Sequence, residues 1–215
     1  MLVNGVPGNT ISIRDRGLLY GDGVFRTLRA KQGRALHWSL HYLKLQHDCT
    51  KTGIACPDEA LLHAELDQVL AQHPDGVVKL IVTRGEGARG YAPPTSMTTT
   101  RIWDFAPLPD YPPEWTTQGI KAQVCSLRLS AQPRLACVKH LNRLENVLAA
   151  TELHDAQRHD PRLAEGLLLD AEGRLIEGIR SNLFAVSQGQ LITPDLSRCG
   201  VAGIQRGRVM AWALQ

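Results

Sequence analysis

The sequence predicts an α+β protein of two domains, and three observations support this prediction. Residues 1–105 combine short strand patterns with two helical segments, and residues 119–215 combine strands, two hairpin signals and further helices. Between them, the stretch APLPDYPPE is rich in proline and typical of an interdomain linker. We therefore expect a small N-terminal domain over residues 1–105, a linker over 106–118 and a larger C-terminal domain over 119–215.

Hydrophobic periodicity predicts the elements of the first domain. Strands are expected at residues 1–4, 11–13, 24–30, 77–83 and 101–105, with a turn at Asn4-Gly5. One helix is expected to follow Ser39, and a second one to run from about Pro57 to Gln72. The buried side of the second helix is expected to carry Leu61, Leu62, Leu66, Val69 and Leu70.

The second domain is predicted to contain several short strands. They are expected at residues 120–127, 135–138, 166–170, 174–177, 182–186 and 190–192, the last four of them forming two hairpins. A helix over residues 141–156 is expected to turn Leu141, Leu144 and Leu148 inward. Residues 204–215 also have a helical pattern, and the chain stops in it without a capping signal. This ending suggests a fold that is truncated at its C-terminus.

Composition excludes several classes of function. A net charge of +3 and the lack of a basic run with interleaved aromatic residues argue against nucleic-acid binding. Five cysteines without CxxC spacing suggest neither a disulfide framework nor a metal site. The sequence has no signal-peptide pattern and no apolar run of membrane-spanning length, so we expect a cytoplasmic protein that does not bind membranes.

Lys139 is the first candidate for chemistry. It follows the apolar residues 135–138 at the expected start of a helix, where partial burial favours the neutral, nucleophilic amine that Schiff-base chemistry needs. A lysine that extends to solvent from a strand end is the simpler interpretation of the position alone. The residues around Lys139 favour the interpretation as a Schiff-base lysine.

Residues 139–148 read KHLNRLENVL, which closely resembles the active-site lysine motif of the fold-type IV, branched-chain-aminotransferase-like enzymes that use pyridoxal 5′-phosphate (PLP). Within that family the string is most similar to the aminodeoxychorismate lyases. The resemblance implies that Lys139 binds PLP as a Schiff base and then acts as general acid and base. It also implies a homodimer with the active site near the subunit interface.

Two later segments resemble the rest of a PLP site. In residues 175–184, LIEGIRSNLF, Glu177 matches the family's acid beside the pyridine nitrogen, which keeps the ring an electron acceptor, and Asn182 belongs to the same motif. An exposed charge on a hairpin edge is the alternative for Glu177. Residues 200–206, GVAGIQR, resemble the phosphate-binding turn, in which Gly203, Ile204 and Gln205 would place amide groups at a helix N-terminus.

One position departs from the family pattern. Family members usually carry a His-x-x-Arg-Leu string whose arginine contacts the phosphate, and here residues 41–45 read HYLKL. Lys44 keeps the positive charge but lacks the bidentate guanidinium, so weaker phosphate binding is expected. A lysine on a helix surface is the alternative.

Two further features distinguish lyase from aminotransferase. Thr27 stands where aminotransferases tend to have glycine and the lyases have threonine, although threonine is also an ordinary strand residue. Residues 84–91, RGEGARGY, resemble a lyase loop and are otherwise a solvated hairpin tip. Arginine suits a substrate with two carboxylates, so the candidate substrate ligands are Arg29, Arg84, Arg89 and Tyr91.

The resemblance implies a PLP-dependent lyase that converts 4-amino-4-deoxychorismate to 4-aminobenzoate and pyruvate, a step of folate synthesis. Lys139 and Thr27 are the expected catalytic residues. One alternative is an aminotransferase of the same fold that acts on branched-chain or D-amino acids. A second is a catalytically inactive fragment of the fold, which the abrupt C-terminus and Lys44 suggest.

Overall fold

The computed structural model describes residues 1–93 and 95–215. These residues form two compact units. Unit 1 comprises Met1–Pro109 together with Lys139–Leu141, and unit 2 comprises Asp110–Val138 together with Asn142–Gln215. The predicted linker contains the last residue of a unit 1 strand and a short unit 2 helix at Trp115–Gln118.

Unit 1 is an antiparallel sheet with helices on one face. Its elements in chain order are β1 (Leu2–Val3), β2 (Val6–Pro7), α1 (Arg16–Tyr20), β3 (Gly23–Lys31), β4 (Arg34–Ala35), α2 (Trp38–Thr52), α3 (Glu59–Gln72), β5 (Gly76–Thr83) and β6 (Thr100–Ala106). The strands are ordered β2-β1-β6-β5-β3-β4. Alternation along β3 buries Val24, Leu28 and Ala30 on the face that packs on α2, so its intervening residues lie on the opposite face.

A buried acid ties α3 to this sheet. Glu65 is 2% exposed, and its Oε1 accepts hydrogen bonds from Arg101 Nε at 2.9 Å and Nη2 at 2.7 Å. Its Oε2 accepts from Trp103 Nε1 at 2.8 Å. Because Arg101 and Trp103 both lie on β6, one carboxylate fixes the helix against the strand.

A distant segment completes unit 1. The main-chain amide of Phe25 donates to the Lys139 carbonyl at 2.9 Å, and the Leu141 amide donates to the Gly23 carbonyl at 2.9 Å. Glycine suits position 23, since a Cβ there would lie 2.8 Å from the Val82 carbonyl oxygen and 2.6 Å from Leu141 Cδ1. The segment around Lys139 therefore extends the sheet alongside the start of β3.

Unit 2 combines a small mixed sheet, a hairpin and helices. Its elements are α4 (Trp115–Gln118), β7 (Lys121–Leu129), α5 (Leu144–Gln157), β8 (Leu163–Asp170), β9 (Leu175–Gly178), β10 (Ala185–Ser187), β11 (Gln190–Ile192) and α6 (Ile204–Ala213). Strands β7 and β8 are parallel, whereas β8 and β9 are antiparallel. The buried core contains Cys125, Leu129, Ala149, Leu168, Ile176, Leu196 and Cys199. Both predicted hairpins, β8–β9 and β10–β11, are confirmed.

Two predicted strands are wrong. Residues 11–13 are not a strand, because the Asn4-Gly5 turn, with φ of 52° and 80°, returns the chain at once and makes β2 the partner of β1. Residues 135–138 form a turn rather than a strand, since Cys137 adopts a φ of 69° and makes an isolated parallel bridge to Val201.

Three predictions about helices also need correction. Helix α5 begins at Leu144 rather than Leu141, and its buried residues are Ala149 and Leu153. Leu144 and Leu148, predicted to face inward, are 69% and 50% exposed. In α3, Leu61 is 42% exposed, whereas Leu62, Leu66, Val69 and Leu70 are buried as predicted. In both helices the apolar stripe is wider than the face that the neighbouring strands cover.

The Glu65 contacts generate a stability prediction. Replacing Glu65 by Ala leaves the partly buried Arg101 guanidinium without its counter-charge, so the free energy of unfolding should fall by about 3–5 kcal/mol. Asp67→Ala on the same helix is the control, because Asp67 pairs with His63 at the surface and its loss should cost less than about 1 kcal/mol. Urea unfolding of both variants measures the difference, and equal costs would contradict this role for Glu65.

Candidate active site

Lys139 is fixed by its main chain and lies against an aromatic ring. Its amide donates to Asp48 Oδ2 at 3.1 Å, and its carbonyl accepts from the Phe25 amide at 2.9 Å. Its Nζ lies 4.6 Å from the centroid of the Phe25 ring, within cation–π distance. The residue is half-buried. The structure therefore holds this lysine in a defined place on unit 1.

The Phe25 side of β3 carries two of the predicted residues. Thr27 and Arg29 are exposed and share this face with Phe25, because side chains two residues apart in a strand point the same way. Lys79 on β5 pairs directly with Thr27, and its Nζ lies 5.1 Å from the Phe25 ring centroid. Sequence reasoning missed Lys79, although its place between the buried Val78 and Leu80 predicts this orientation.

Asp48 links Lys139 to the predicted phosphate contact Lys44. The Asp48 carboxylate is 0% exposed, and Lys44 Nζ forms an ion pair with its Oδ1 one helical turn away. Its Oδ2 accepts from Arg26 Nη2 at 2.9 Å as well as from the Lys139 amide. Burial lowers the pKa of Arg26, and the nearby Asp48 charge opposes that shift. Sequence reasoning missed Asp48; its signal was an acid on the buried side of α2.

A histidine on the same helix is held neutral. His41, 9% exposed, has a pKa lowered to about 4 by burial and by the charges of Arg26 and His37. His41 is therefore uncharged at neutral pH, next to the paired charges of Arg26 and Asp48.

The predicted arginines of the 84–91 loop occupy different surroundings. Arg84 Nε donates to Asp22 Oδ2 at 2.7 Å, while Nη1 and Nη2 donate to the carbonyl groups of Gly53 at 2.5 Å and Thr52 at 2.7 Å. These contacts engage every guanidinium nitrogen of Arg84 and cap the end of α2. Arg89 is exposed, and Tyr91 is 85% exposed with its ring 5.4 Å from that of Tyr20. Whether these three residues bind substrate stays a prediction.

Arg16 anchors this loop and was also missed. It is 3% exposed, and its guanidinium donates to the carbonyl groups of Gly90 at 3.1 Å and Tyr91 at 2.8 Å. Its Nε pairs with Asp22 at 2.8 Å. Burial favours the protonated Asp22 acid, but hydrogen bonds from Arg84 and Arg16 outweigh it, so the pKa of Asp22 is lowered. One shared carboxylate therefore connects both arginines.

Unit 2 brings the predicted acid and the predicted phosphate turn together. Glu177, on β9, is 3% exposed, and its Oε2 accepts a hydrogen bond from the Val201 amide at 2.8 Å. Val201 lies in the turn that leads into α6. Glu177 is therefore a buried acid in contact with that turn, and not an exposed hairpin charge.

Asn182 braces the same turn. Its Oδ1 accepts from the Gly203 amide at 3.1 Å, and its Nδ2 donates to the Val201 carbonyl at 2.8 Å. Gly203 caps α6, so the amides of Ile204 and Gln205 lie in the first turn, where helix amides have no carbonyl partner within the helix. A Cβ on Gly203 would lie 2.5 Å from Asn182 Oδ1, so a larger residue here would have to displace the Asn182 side chain.

Metal-ligand clusters and membrane-spanning helices are both absent from the described residues. Over residues 1–93 and 95–215, no group of three or more His, Cys, Asp or Glu side chains is arranged to hold a metal ion. Within the same residues no helix combines the length and apolar character needed to cross a membrane.

The chain belongs to the amino-transferase class IV family, because the sequence model of that family matches residues 23–215. Enzymes of this family use PLP, and the predicted family and cofactor are confirmed. The chain is thus a PLP-dependent enzyme that acts on small molecules.

Individual members of the family show which enzymes this chain is similar to. The chain is 34% identical over 212 residues to the aminodeoxychorismate lyase of Vibrio harveyi, covering 98% of this chain and 76% of that protein. It is 27% identical over 204 residues to a D-alanine aminotransferase of Bacillus licheniformis, covering 93% and 68%.

Solved structures share the fold along almost the entire chain. The crystal structure of 4-amino-4-deoxychorismate lyase from Pseudomonas aeruginosa matches with a TM-score of 0.93 and 46% identity over 99% of this chain and 77% of that one. The Escherichia coli branched-chain amino acid aminotransferase matches with a TM-score of 0.81 at 23% identity, over 99% of this chain and 73% of that one, which shows the shared fold. The predicted fold class is therefore confirmed.

The Gly203–Asn182 contact generates a prediction for unit 2. Gly203→Ala should displace Asn182 and lower the free energy of unfolding by about 1–3 kcal/mol, the usual cost of overpacking. Gly207→Ala in α6 is the matched control, since a Cβ there meets nothing within 4 Å and alanine should stabilise the helix by about 0.5–1 kcal/mol. Thermal and urea unfolding measure both.

A double variant makes this prediction specific. If the clash is the cause, Gly203→Ala should cost less in an Asn182→Ala background, where the opposing oxygen is gone. Additive effects of the two substitutions would show that the cause lies elsewhere.

Proposed function

We propose that this chain is an aminodeoxychorismate lyase that converts 4-amino-4-deoxychorismate to 4-aminobenzoate and pyruvate. The observation that carries the proposal is the placement of Thr27 on the strand face of Phe25, whose ring contacts the Lys139 ammonium. Threonine at this position is the feature by which the sequence resembles the lyases rather than the aminotransferases. The similarity to the Vibrio harveyi and Pseudomonas aeruginosa lyases supports it.

The residues present fit PLP by the chemistry of their donors. Lys139 provides a fixed primary amine for the aldehyde, and Glu177 provides a buried carboxylate suited to the pyridine nitrogen. The first-turn amides of Ile204 and Gln205 suit a phosphate, since a helix N-terminus binds anions. Lys44 brings a positive charge that we also propose for the phosphate.

Each of these residues has a defined task in the proposed reaction. Bound PLP supplies an electron sink for the substrate carbon that bears the amine. Lys139 Nζ accepts the proton from C4 of the substrate, and the Glu177 carboxylate holds a proton at the ring nitrogen of the cofactor. The Thr27 hydroxyl is proposed to orient the substrate amine. Cleavage of the C3–O bond then releases enolpyruvate and makes the ring aromatic, and the proton held by Lys139 is given to enolpyruvate, which becomes pyruvate.

Charge supports a dicarboxylate substrate. Arg29 and Lys79 add two positive charges to the Phe25 face, where carboxylates are favoured. We propose that Arg89 and Tyr91, held on the loop that Arg16 anchors, contribute further contacts. Arg84 is the weakest of the substrate candidates, because its guanidinium already binds Asp22 and two carbonyl groups.

The activity can be tested directly. Purified protein with added PLP should release 4-aminobenzoate and pyruvate in equal amounts from 4-amino-4-deoxychorismate. Lys139→Ala should lower that rate by at least about 10²-fold, since positioned acid–base groups contribute about 10²–10⁴-fold. Lys51→Ala, on the exposed side of α2, is the matched control and should keep the wild-type rate.

Two outcomes would contradict the proposal. Formation of 2-oxoacids from an amino donor, without 4-aminobenzoate, would favour the aminotransferase alternative, to which the similarity with D-alanine aminotransferase points. Failure to take up PLP, judged by the visible absorbance of the bound cofactor, would favour an inactive fragment.

We also propose that the protein is a homodimer with its active site near the subunit interface. Leu144, Val147 and Leu148 lie on one side of α5 and are 69%, 56% and 50% exposed, and such apolar patches are typical of interfaces. Sedimentation should give about twice the 23.7 kDa chain mass. A monomer at micromolar concentration would exclude the dimer.

A further inference from the structure

We propose that Asp48 is a positioning residue for Lys139, acting by fixing the main chain of that lysine and coupling it to Lys44. This inference rests on the proposed role of Lys139 as the PLP lysine. Asp48 touches neither cofactor nor substrate in this scheme. It acts through the residues that do.

The first step is the way in which the Lys139 backbone is held. Asp48 Oδ2 accepts from the Lys139 amide at 3.1 Å, and the Phe25 amide donates to the Lys139 carbonyl at 2.9 Å. Hydrogen bonds on both sides of the Cα fix the direction of the Cα–Cβ bond. The Lys139 side chain therefore leaves the main chain in a fixed direction, and its Nζ lies over the Phe25 ring, 4.6 Å from the ring centroid.

The second step is the charge balance around the carboxylate. Arg26 is 3% exposed and needs a counter-charge, which the Asp48 oxygen at 2.9 Å provides. That same oxygen receives the Lys139 amide, so the partner of Arg26 and the anchor of Lys139 are one atom.

The third step is the connection to Lys44. The second oxygen of Asp48 pairs with Lys44 Nζ and lies 3.0 Å from His47 Nδ1. Arg26, Asp48 and Lys44 together carry one net positive charge, so Lys44 keeps an attraction for an anion while it is paired. One carboxylate therefore sets the position of both the PLP lysine and a candidate phosphate contact.

Asp48→Asn is the informative variant because it keeps the shape and removes one acceptor. The asparagine side chain can take two orientations. In one its NH₂ group faces the Lys139 amide, and in the other it faces the nitrogens of Lys44 and His47, so one hydrogen bond to Asp48 is lost in either case. The matched control is Asp67→Asn, an exposed acid on α3 that also pairs one turn away, with His63. Circular dichroism and thermal unfolding establish the temperature at which all proteins are folded.

The experiment measures covalent attachment at Lys139 rather than turnover. Protein freed of cofactor is mixed with PLP, or with pyridoxal, which lacks the phosphate. Borohydride then fixes the adduct, and peptide mass spectrometry quantifies labelling at Lys139 relative to Lys79. We expect Asp48→Asn to lower this ratio by about tenfold or more with both aldehydes, the effect of losing a charge-assisted hydrogen bond. Asp67→Asn should leave it unchanged.

The outcomes separate this inference from the proposed function. Wild-type protein that is not labelled at Lys139 would defeat the role of that lysine. Labelled wild type with an unchanged ratio in folded Asp48→Asn would overturn the positioning role alone. Loss confined to PLP would overturn it too, because the effect would then act through the phosphate.

A measurement on the wild-type protein covers the case in which Asp48→Asn does not fold. The Lys139 amide should exchange with deuterium at least about tenfold more slowly than the amide of the exposed Arg89, because the Lys139 amide donates a partly buried hydrogen bond to Asp48. Exchange as fast as at Arg89 would overturn the proposal.

Discussion

The buried carboxylate of Asp48 is the constraint on which unit 1 depends. It joins helix α2 and the nearby strand β3 to the segment around Lys139, which lies 91 residues further along the chain. Taking a carboxylate and a guanidinium out of water is costly unless the two charges are paired. Arg26 and Asp48 must therefore be buried together, as an ion pair. The oxygen of Asp48 that pairs with Arg26 also accepts the hydrogen bond from the Lys139 amide. The neutral His41 beside them reflects the same low tolerance for unpaired charge.

Unit 2 also contains a buried acid, Glu177, that accepts a hydrogen bond from the main chain. Glu177 binds the Val201 amide and Asn182 binds both Val201 and Gly203, so the turn before α6 is held by side chains. The helix amides that we propose for the phosphate are thereby presented by a rigid support. In both units, a buried acid accepts a hydrogen bond from a main-chain amide in the segment that carries residues of the proposed PLP site.

The family and the proposed site residues were accessible from sequence because their signals are local. The string around Lys139, the acid at Glu177 and the turn at Gly203 are short runs whose chemistry needs particular residues in a particular order. Alternation along β3 likewise predicts that Thr27 and Arg29 share a face. The errors have local causes as well, since a positive φ at Cys137 broke a predicted strand and an apolar stripe on α5 was wider than its buried side.

The sequence by itself determined the family, most of the longer helices and strands, and the chemical types of the candidate residues, because each depends on neighbours within a few positions. Tertiary structure alone decided the partners: Asp48 with the Lys139 amide, Arg16 with the 84–91 loop, and the Phe25 ring with the ammonium groups of both Lys79 and Lys139. Such contacts depend on hydrogen-bond geometry and burial between segments that are remote in the chain, and no local pattern encodes that pairing. Lys139 is a lysine of the right motif by sequence, and a fixed amine only through the fold.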